Sequence, residues 1–161
     1  MTRYAENTSV STEKSRAQIE STLERYGATG FQYGWQETGH DRRKAMIEFI
    51  ANDRRIRFIL PLPSRDDSEF IKTKTGKRRS ESAALASWEQ ACRQRWRALH
   101  LAIKAKLEAV ECNITEFERE FLAHIVDPET NRTVGELVLP MIEDRYEGKP
   151  TQLALPAPSR S

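Results

Sequence analysis

Hydrophobic residues recur at helical spacing near the start of the chain. The recurring positions are Ile19, Leu23 and Tyr26. Ser9 or Ser11 can cap a helix at its start, and Gly27 stands where helices commonly end. The pattern therefore predicts an N-terminal helix that runs to Tyr26.

Between residues 31 and 62 the pattern changes to an alternation of apolar and polar positions, which is typical of β-strands. Three runs share this period of two, with apolar members at Phe31, Tyr33 and Trp35, then Ala45, Ile47 and Phe49, then Ile56, Phe58, Leu60 and Leu62. The links at residues 38–41 and 51–53 are short, so neighbouring strands run antiparallel. Pro61 and Pro63 end the third strand because neither has an N–H to donate. We expect the aromatic positions of the first strand to face the core.

A long amphipathic helix is predicted from about Ser80 to Glu111. Its apolar positions step by three or four residues without a break, which places them on one face. They are Leu85, Trp88, Cys92, Trp96, Leu99, Ile103, Leu107 and Val110. This eight-member stripe indicates a helix that packs against the sheet and forms the spine of the fold.

Two shorter helices are predicted after the long one. Thr115 with Glu118, and Thr133 with Glu136, have the spacing of a capping box at a helix start. The second of these helices is expected to bend or restart at Pro140.

The element order predicts an α+β fold. It consists of an N-terminal helix, a three-stranded antiparallel meander, a long central helix and two shorter C-terminal helices. We expect residues 1–147 to form a single domain with a mobile basic loop at 64–79. Residues 148–161 are expected to be a flexible tail.

The composition points to a reducing compartment inside a cell. No apolar run approaches the roughly 18 residues of a membrane span, and the first residues lack the apolar stretch of a signal peptide. Two cysteines, Cys92 and Cys112, are too few for a disulfide framework. We therefore expect a cytoplasmic protein that makes no membrane contact.

Charge is distributed unevenly along the chain. Residues 1–107 hold 21 Lys and Arg against 13 Asp and Glu, whereas residues 108–147 hold 3 against 11. Such polarity can create a polyanion-binding face beside an acidic one. It can equally hold one half of the protein to the other.

Catalytic and metal-binding motifs are missing from the sequence. There is no HExxH, CxxC or GxSxG, and the segment around Gly76 and Lys77 lacks the upstream glycine of a phosphate-binding loop. Cys92 lies on the apolar stripe and is expected to be a buried packing thiol. We expect His100 on the helix surface and His124 partly buried. The sequence therefore predicts no catalytic residue, no metal and no cofactor, and a protein that is not an enzyme.

The strongest functional signal is a run of five cations within eight residues. They are Lys72, Lys74, Lys77, Arg78 and Arg79. Cations can pair with the phosphates of a nucleic acid and release its counterions. The alternative is that the run only keeps a loop solvated.

Further cations beside the stripe of the long helix extend this candidate site. Arg93, Arg97 and Lys104 fall on one line and are included in the predicted nucleic-acid-binding set. They can instead form a solvated border, with Arg93 paired to Glu89 and Lys104 paired to Glu108. Tyr33 and Trp35 could stack on bases if their face were open.

Several stretches of the chain resemble a family of small proteins from tailed bacteriophages and prophages. They are residues 93–111 (RQRWRALHLAIKAKLEAVE), 117–126 (FEREFLAHIV) and 133–136 (TVGE), with 4–10 (YAENTSV) and 57–63 (RFILPLP). The resemblance covers most of the chain and carries no activity with it. It implies a phage-encoded protein of the bacterial cytoplasm, from a family whose genes often lie near those of DNA replication and recombination.

Two hypotheses of different classes follow. The first is a non-enzymatic accessory protein of phage DNA metabolism that binds nucleic acid through the basic loop and the adjoining helix start. The second is a protein-binding module that inhibits or redirects a host factor through the acidic helices at 115–147. The element order is shared with the double-stranded RNA-binding module, and three strands before a long helix also occur in single-strand annealing proteins. Both likenesses are analogies of element order alone.

Overall fold

Five helices and a three-stranded sheet make up the computed structural model of the protein, which describes residue 5 and residues 8–37 and 43–150. The elements are α1 (Thr12–Arg25), β1 (Gly30–Glu37), β2 (Arg43–Ala51), β3 (Arg54–Pro61), α2 (Ser68–Ile71), α3 (Glu81–Glu111), α4 (Phe117–Glu120), a 3-10 turn (Leu122–His124) and α5 (Val134–Tyr146). This order confirms the predicted α+β fold.

The three strands form an antiparallel sheet in the order β1-β2-β3, as the short links predicted. Asn52 and Asp53, with φ of 49° and 55°, form the two-residue turn between β2 and β3. Asparagine and aspartate tolerate this left-handed conformation better than most residues. The turn predicted at residues 38–41 lies outside the described part of the chain.

The two main helices lie against the same face of the sheet. Helix α1 begins where Ser11 accepts a hydrogen bond from the Lys14 N–H, at 3.1 Å, and the chain leaves it at Gly27, with φ of 90°. Helix α3 begins at the cap Ser80 and packs against α1 and β3. At 31 residues it is about 46 Å long, and its first turns reach past the sheet, which leaves Leu85 exposed.

The core lies between α1, α3 and the sheet. Its fully buried members include Ile19, Leu23, Ile47, Phe49, Ile56, Ile103 and Phe121. Cys92 is buried as predicted, and burial raises the pKa of its thiol to about 11. This thiol is therefore protonated at neutral pH and serves packing.

His100 is not a surface residue, which corrects the prediction. His100 lies on the side of α3 that packs against α1, and this packing buries it. The apolar stripe of α3 alone does not reveal the contact between the two helices. Arg97 donates a hydrogen bond to its Nδ1 at 3.1 Å, so Nε2 carries the proton and faces the hydroxyl of Thr22 at 3.3 Å. Burial and the cations of Arg97 and Lys104 lower the pKa of His100, and the ring is neutral at pH 7.

The first predicted capping box, Thr115 with Glu118, is wrong. Helix α4 begins at the cap Glu116 and lasts only one turn. The chain reverses after α3 through Asn113, with φ of 57°, and the Thr115 hydroxyl donates to the carbonyl of the next residue, Glu116. The hydroxyl therefore satisfies no amide at the start of α4.

Helix α5 has the second predicted capping box, with Thr133 and Glu136 bonded reciprocally. The helix does not restart at Pro140 but continues through it to Tyr146. Pro140 leaves the carbonyl of Glu136 without its usual amide donor. The guanidinium of Arg132 donates to that carbonyl at 3.0 Å and replaces the missing bond.

Four phenylalanines tie the C-terminal segment to the sheet. Phe121 is fully buried, with its ring 6.0 Å from that of Phe49, 6.3 Å from Phe58 and 4.7 Å from Phe117. His124, half-buried as predicted, stacks on Phe58 at 3.9 Å. The C-terminal segment therefore completes the core.

The basic segment at 64–79 has local structure that the sequence did not predict. Phe70 of α2 is buried, and an antiparallel bridge joins Lys72 to Arg78. The Thr73 N–H donates to the Lys77 carbonyl at 2.8 Å, and Gly76, with φ of 82°, makes the turn. Residues 72–78 thus form a small hairpin, called the basic hairpin below.

Candidate nucleic-acid interface

The basic hairpin presents most of its cations to solvent. Lys72, Lys74, Lys77 and Arg78 are exposed, and Arg79, directly after the hairpin, is half-buried. None of the described acidic residues forms an ion pair with any of these five cations. Their charge is therefore available to an outside anion.

A hollow of about 370 Å³ lies between the end of the hairpin and the start of α3. Arg78 and Arg79 line it together with Arg65, Trp88 and the acidic residues Asp66 and Glu81. The guanidinium of Arg65 lies 4.5 Å from the centre of the Trp88 ring, which is cation–π distance. The hollow thus combines cations with an aromatic wall.

A second hollow of about 380 Å³ adjoins the first, because Trp88 lines both. We call it the arginine–aromatic cleft. It lies between the start of α1, the first half of α3 and the β1–β2 pair. Its lining holds three arginines, three aromatic rings and two carboxylates, which are Arg16, Arg43, Arg93, Tyr33, Trp88, Trp96, Glu13 and Glu89. Arg16 lies 4.5 Å from the Tyr33 ring centre and 5.8 Å from that of Trp96.

The aromatic row of β1 is only partly covered. The strand pairing places Phe31, Tyr33 and Trp35 on the helix-facing side, opposite Phe49, Ile47 and Ala45. Phe31 packs against the core, as predicted. Tyr33 meets Trp96 edge-on but is 37% exposed, and Trp35 is 58% exposed. The expectation that Trp35 is a core residue is therefore wrong.

Trp35 is not part of the cleft lining, and Arg43 connects it to the cleft. Arg43, which lines the cleft, lies 5.1 Å from the Trp35 ring centre. Arg43 also pairs with Glu37 at 3.2 Å, and Arg16 with Glu13 at 4.0 Å. Exposed pairs of this kind contribute little, about 0–1 kcal/mol, so both arginines can exchange partners.

The three predicted cations of α3 do not form one patch with the hairpin. Arg93 lines the cleft and donates to Gln90, not to the expected Glu89. Arg97 is held by Gln18 and His100 on the side that faces α1.

Lys104 lies on the same α1-facing side of α3 as Arg97, away from Arg93 and the cleft. It lines a separate hollow of about 350 Å³ with Arg25 and His100. The site therefore contains the hairpin and Arg93, and it excludes Arg97 and Lys104.

Three arginines of the site were missed by sequence reasoning. Arg16, Arg43 and Arg65 come from α1, β2 and the segment after β3, and nothing in their spacing connects them. One signal existed for Arg43, because it belongs to the basic run 42–44 (RRK) at the start of the strand that follows Trp35 in sequence. The sequence pattern correctly predicted that Tyr33 and Trp35 share one face of the sheet. It could not show how far α1 and α3 cover that face.

Within the described residues, no group of three or more His, Cys, Asp or Glu side chains could hold a metal ion. No helix in this part of the chain is long and apolar enough to cross a membrane. No family model, curated protein or solved structure matches the chain.

Proposed function

We propose that this chain is a non-enzymatic accessory protein of phage DNA replication or recombination that binds nucleic acid in the cytoplasm of a bacterial host. The basic hairpin and the arginine–aromatic cleft form the contact surface. The phage setting rests on the resemblance of residues 93–111, 117–126 and 133–136 to the phage family.

One observation supports the proposal: five cations that form no ion pair within the described residues lie in one segment, and two of them, Arg78 and Arg79, line a hollow beside a cleft that holds three more arginines and three aromatic rings. Phosphates are the anions that a row of cations on a surface suits best, since each contact releases a counterion. Rings beside such a row are typical of proteins that also contact bases.

The test is a salt titration of binding to a fluorescent oligonucleotide, starting at low salt. With about three to five phosphates neutralised, the plot of log affinity against log salt should fall with a slope of about −2 to −4. Binding without salt dependence, or no binding of DNA or RNA at the lowest salt, would contradict the proposal.

A second candidate function is supported by helix α5. Val138, Leu139, Ile142 and Tyr146 are all exposed and recur at helical spacing. They form a second apolar stripe, on the side away from the 3-10 turn. Because this half of the chain is acidic, we propose that the stripe binds a partner protein that presents an apolar surface edged with Lys and Arg.

The matched pair Ile142→Glu and Ile114→Glu tests this candidate. Both isoleucines are exposed and lie in the acidic half, but only Ile142 belongs to the stripe. A host protein captured from lysate should, once purified, rebind the wild-type chain and Ile114→Glu, and bind Ile142→Glu at least tenfold more weakly. Equal binding by both variants would contradict the candidate, as would a wild-type dimer that Ile142→Glu dissociates.

A further inference from the structure

We infer that the arginine–aromatic cleft receives unpaired bases, so that the protein grips single-stranded nucleic acid by stacking as well as by charge. This inference rests on the proposed function and names the form of nucleic acid that the site takes. It assigns the main stacking role to Trp35.

The exposure of Trp35 is the first support. Trp35 is 58% exposed on the side of the sheet that otherwise forms the core, so part of its ring is available to a ligand. Phe31 and Tyr33 on the same strand face are both more covered. Helices α1 and α3 therefore cover this face of β1 only as far as Trp35, and part of the Trp35 ring is exposed to solvent.

The arginines on the rings are the second support. Arg43 lies over Trp35 at 5.1 Å, and Arg16 lies over Tyr33 at 4.5 Å. A base stacked on Trp35 would therefore have a cation beside it that can meet the adjoining phosphate. Stacking of this kind tolerates any base, because every base has a flat face.

The size and position of the cleft are the third support. Its volume of about 380 Å³ falls at the small end of ligand pockets, which suits one or two bases and not a double helix. The hollow beside it leads past Trp88 to Arg78 and Arg79. A strand with a base in the cleft can thus continue along the cations of the hairpin.

Paired bases cannot use Trp35 in this way. In a duplex each base lies between its neighbours, so an open face is available only at an end. The hairpin, in contrast, contacts phosphates of single strands and duplexes alike. The two parts of the site therefore respond differently to the form of the nucleic acid.

The experiment measures the affinity of wild type and Trp35→Ala for three probes at one low salt concentration. The probes are a DNA strand, its duplex and an abasic strand of equal length. Trp35→Ala should weaken binding of the normal strand about tenfold and leave the duplex and abasic strand unchanged. Trp35→Phe should restore most of the loss.

The matched control is Ile59→Ala, an exposed apolar position on the opposite face of the sheet. It should leave all three affinities unchanged. If Trp35→Ala weakens all three probes equally, or none, the stacking inference is overturned while nucleic-acid binding stands. If wild type binds none of the three DNA probes and no RNA strand of the same sequence, the proposed function itself fails.

Discussion

Replacing Phe121 by alanine is expected to destabilise the protein by about 3–5 kcal/mol. Phe121 is fully buried and its ring packs against three other phenylalanine rings, two of them in the sheet. Removing it leaves a cavity at the point where the C-terminal segment meets β2 and β3. The segment after Phe121 cannot collapse into that space, because two antiparallel bridges fix its position. One joins Ile125 to Ile56 of β3, and the other joins Val126 to Thr133.

Urea unfolding of the wild type and of Phe121→Ala measures this loss. The control is Leu122→Ala, the next residue, which is 54% exposed and should change the free energy of unfolding by no more than about 0.5 kcal/mol. Similar small losses for both variants would mean that the C-terminal segment does not complete the core.

Replacing all five cations of the hairpin segment by glutamine is expected to weaken nucleic-acid binding about 100-fold in 0.1 M salt. The changed residues are Lys72, Lys74, Lys77, Arg78 and Arg79. If about three of them contact phosphates at once, their removal makes the slope of log affinity against log salt shallower by about 2. Over the roughly tenfold drop in salt from about 1 M to 0.1 M, a slope difference of 2 corresponds to about 100-fold in affinity. The hairpin itself should persist, because backbone bonds and Thr73 hold it and the cationic side chains do not.

The control variant removes the same charge from elsewhere on the surface. It replaces Arg25, Arg54, Arg119, Arg145 and Lys149 by glutamine, all of which are exposed. A loss of no more than about threefold is expected, since distant exposed charges are screened by salt. Equal losses in the two variants would show that net charge, and not the hairpin, drives binding.

The regular elements of the fold were predictable because each leaves a periodic signal. The stripe from Leu85 to Val110 indicated one long helix, and the alternation in β2 indicated which residues are buried. His100 escaped prediction because its burial depends on α1, which is 78 positions away at Thr22. The capping box predicted at Thr115 and Glu118 was wrong because the spacing of the two residues does not ensure that the Thr115 hydroxyl faces a backbone amide.

The candidate site was predictable only in part. The hairpin cations are contiguous in sequence, so composition alone identified them. The cleft is assembled from separate stretches, and its membership depends on how far α1 and α3 cover the sheet. Arg97 and Arg93 are equivalent in a helical projection, yet one is held by Gln18 and the other borders the cleft.

The hairpin is contiguous in sequence, whereas the cleft is assembled by folding. Ligand binding is therefore coupled to folding at the cleft and not at the hairpin. The arginines Arg16, Arg43 and Arg93 come together only when α1, the sheet and α3 are packed, so the unfolded chain has no cleft. A ligand held there binds the native state alone and raises the free energy of unfolding by mass action. The hairpin cations stay within eight residues of one another even in an unfolded chain. An anion held by them alone would bind both states and leave the folding equilibrium nearly where it was.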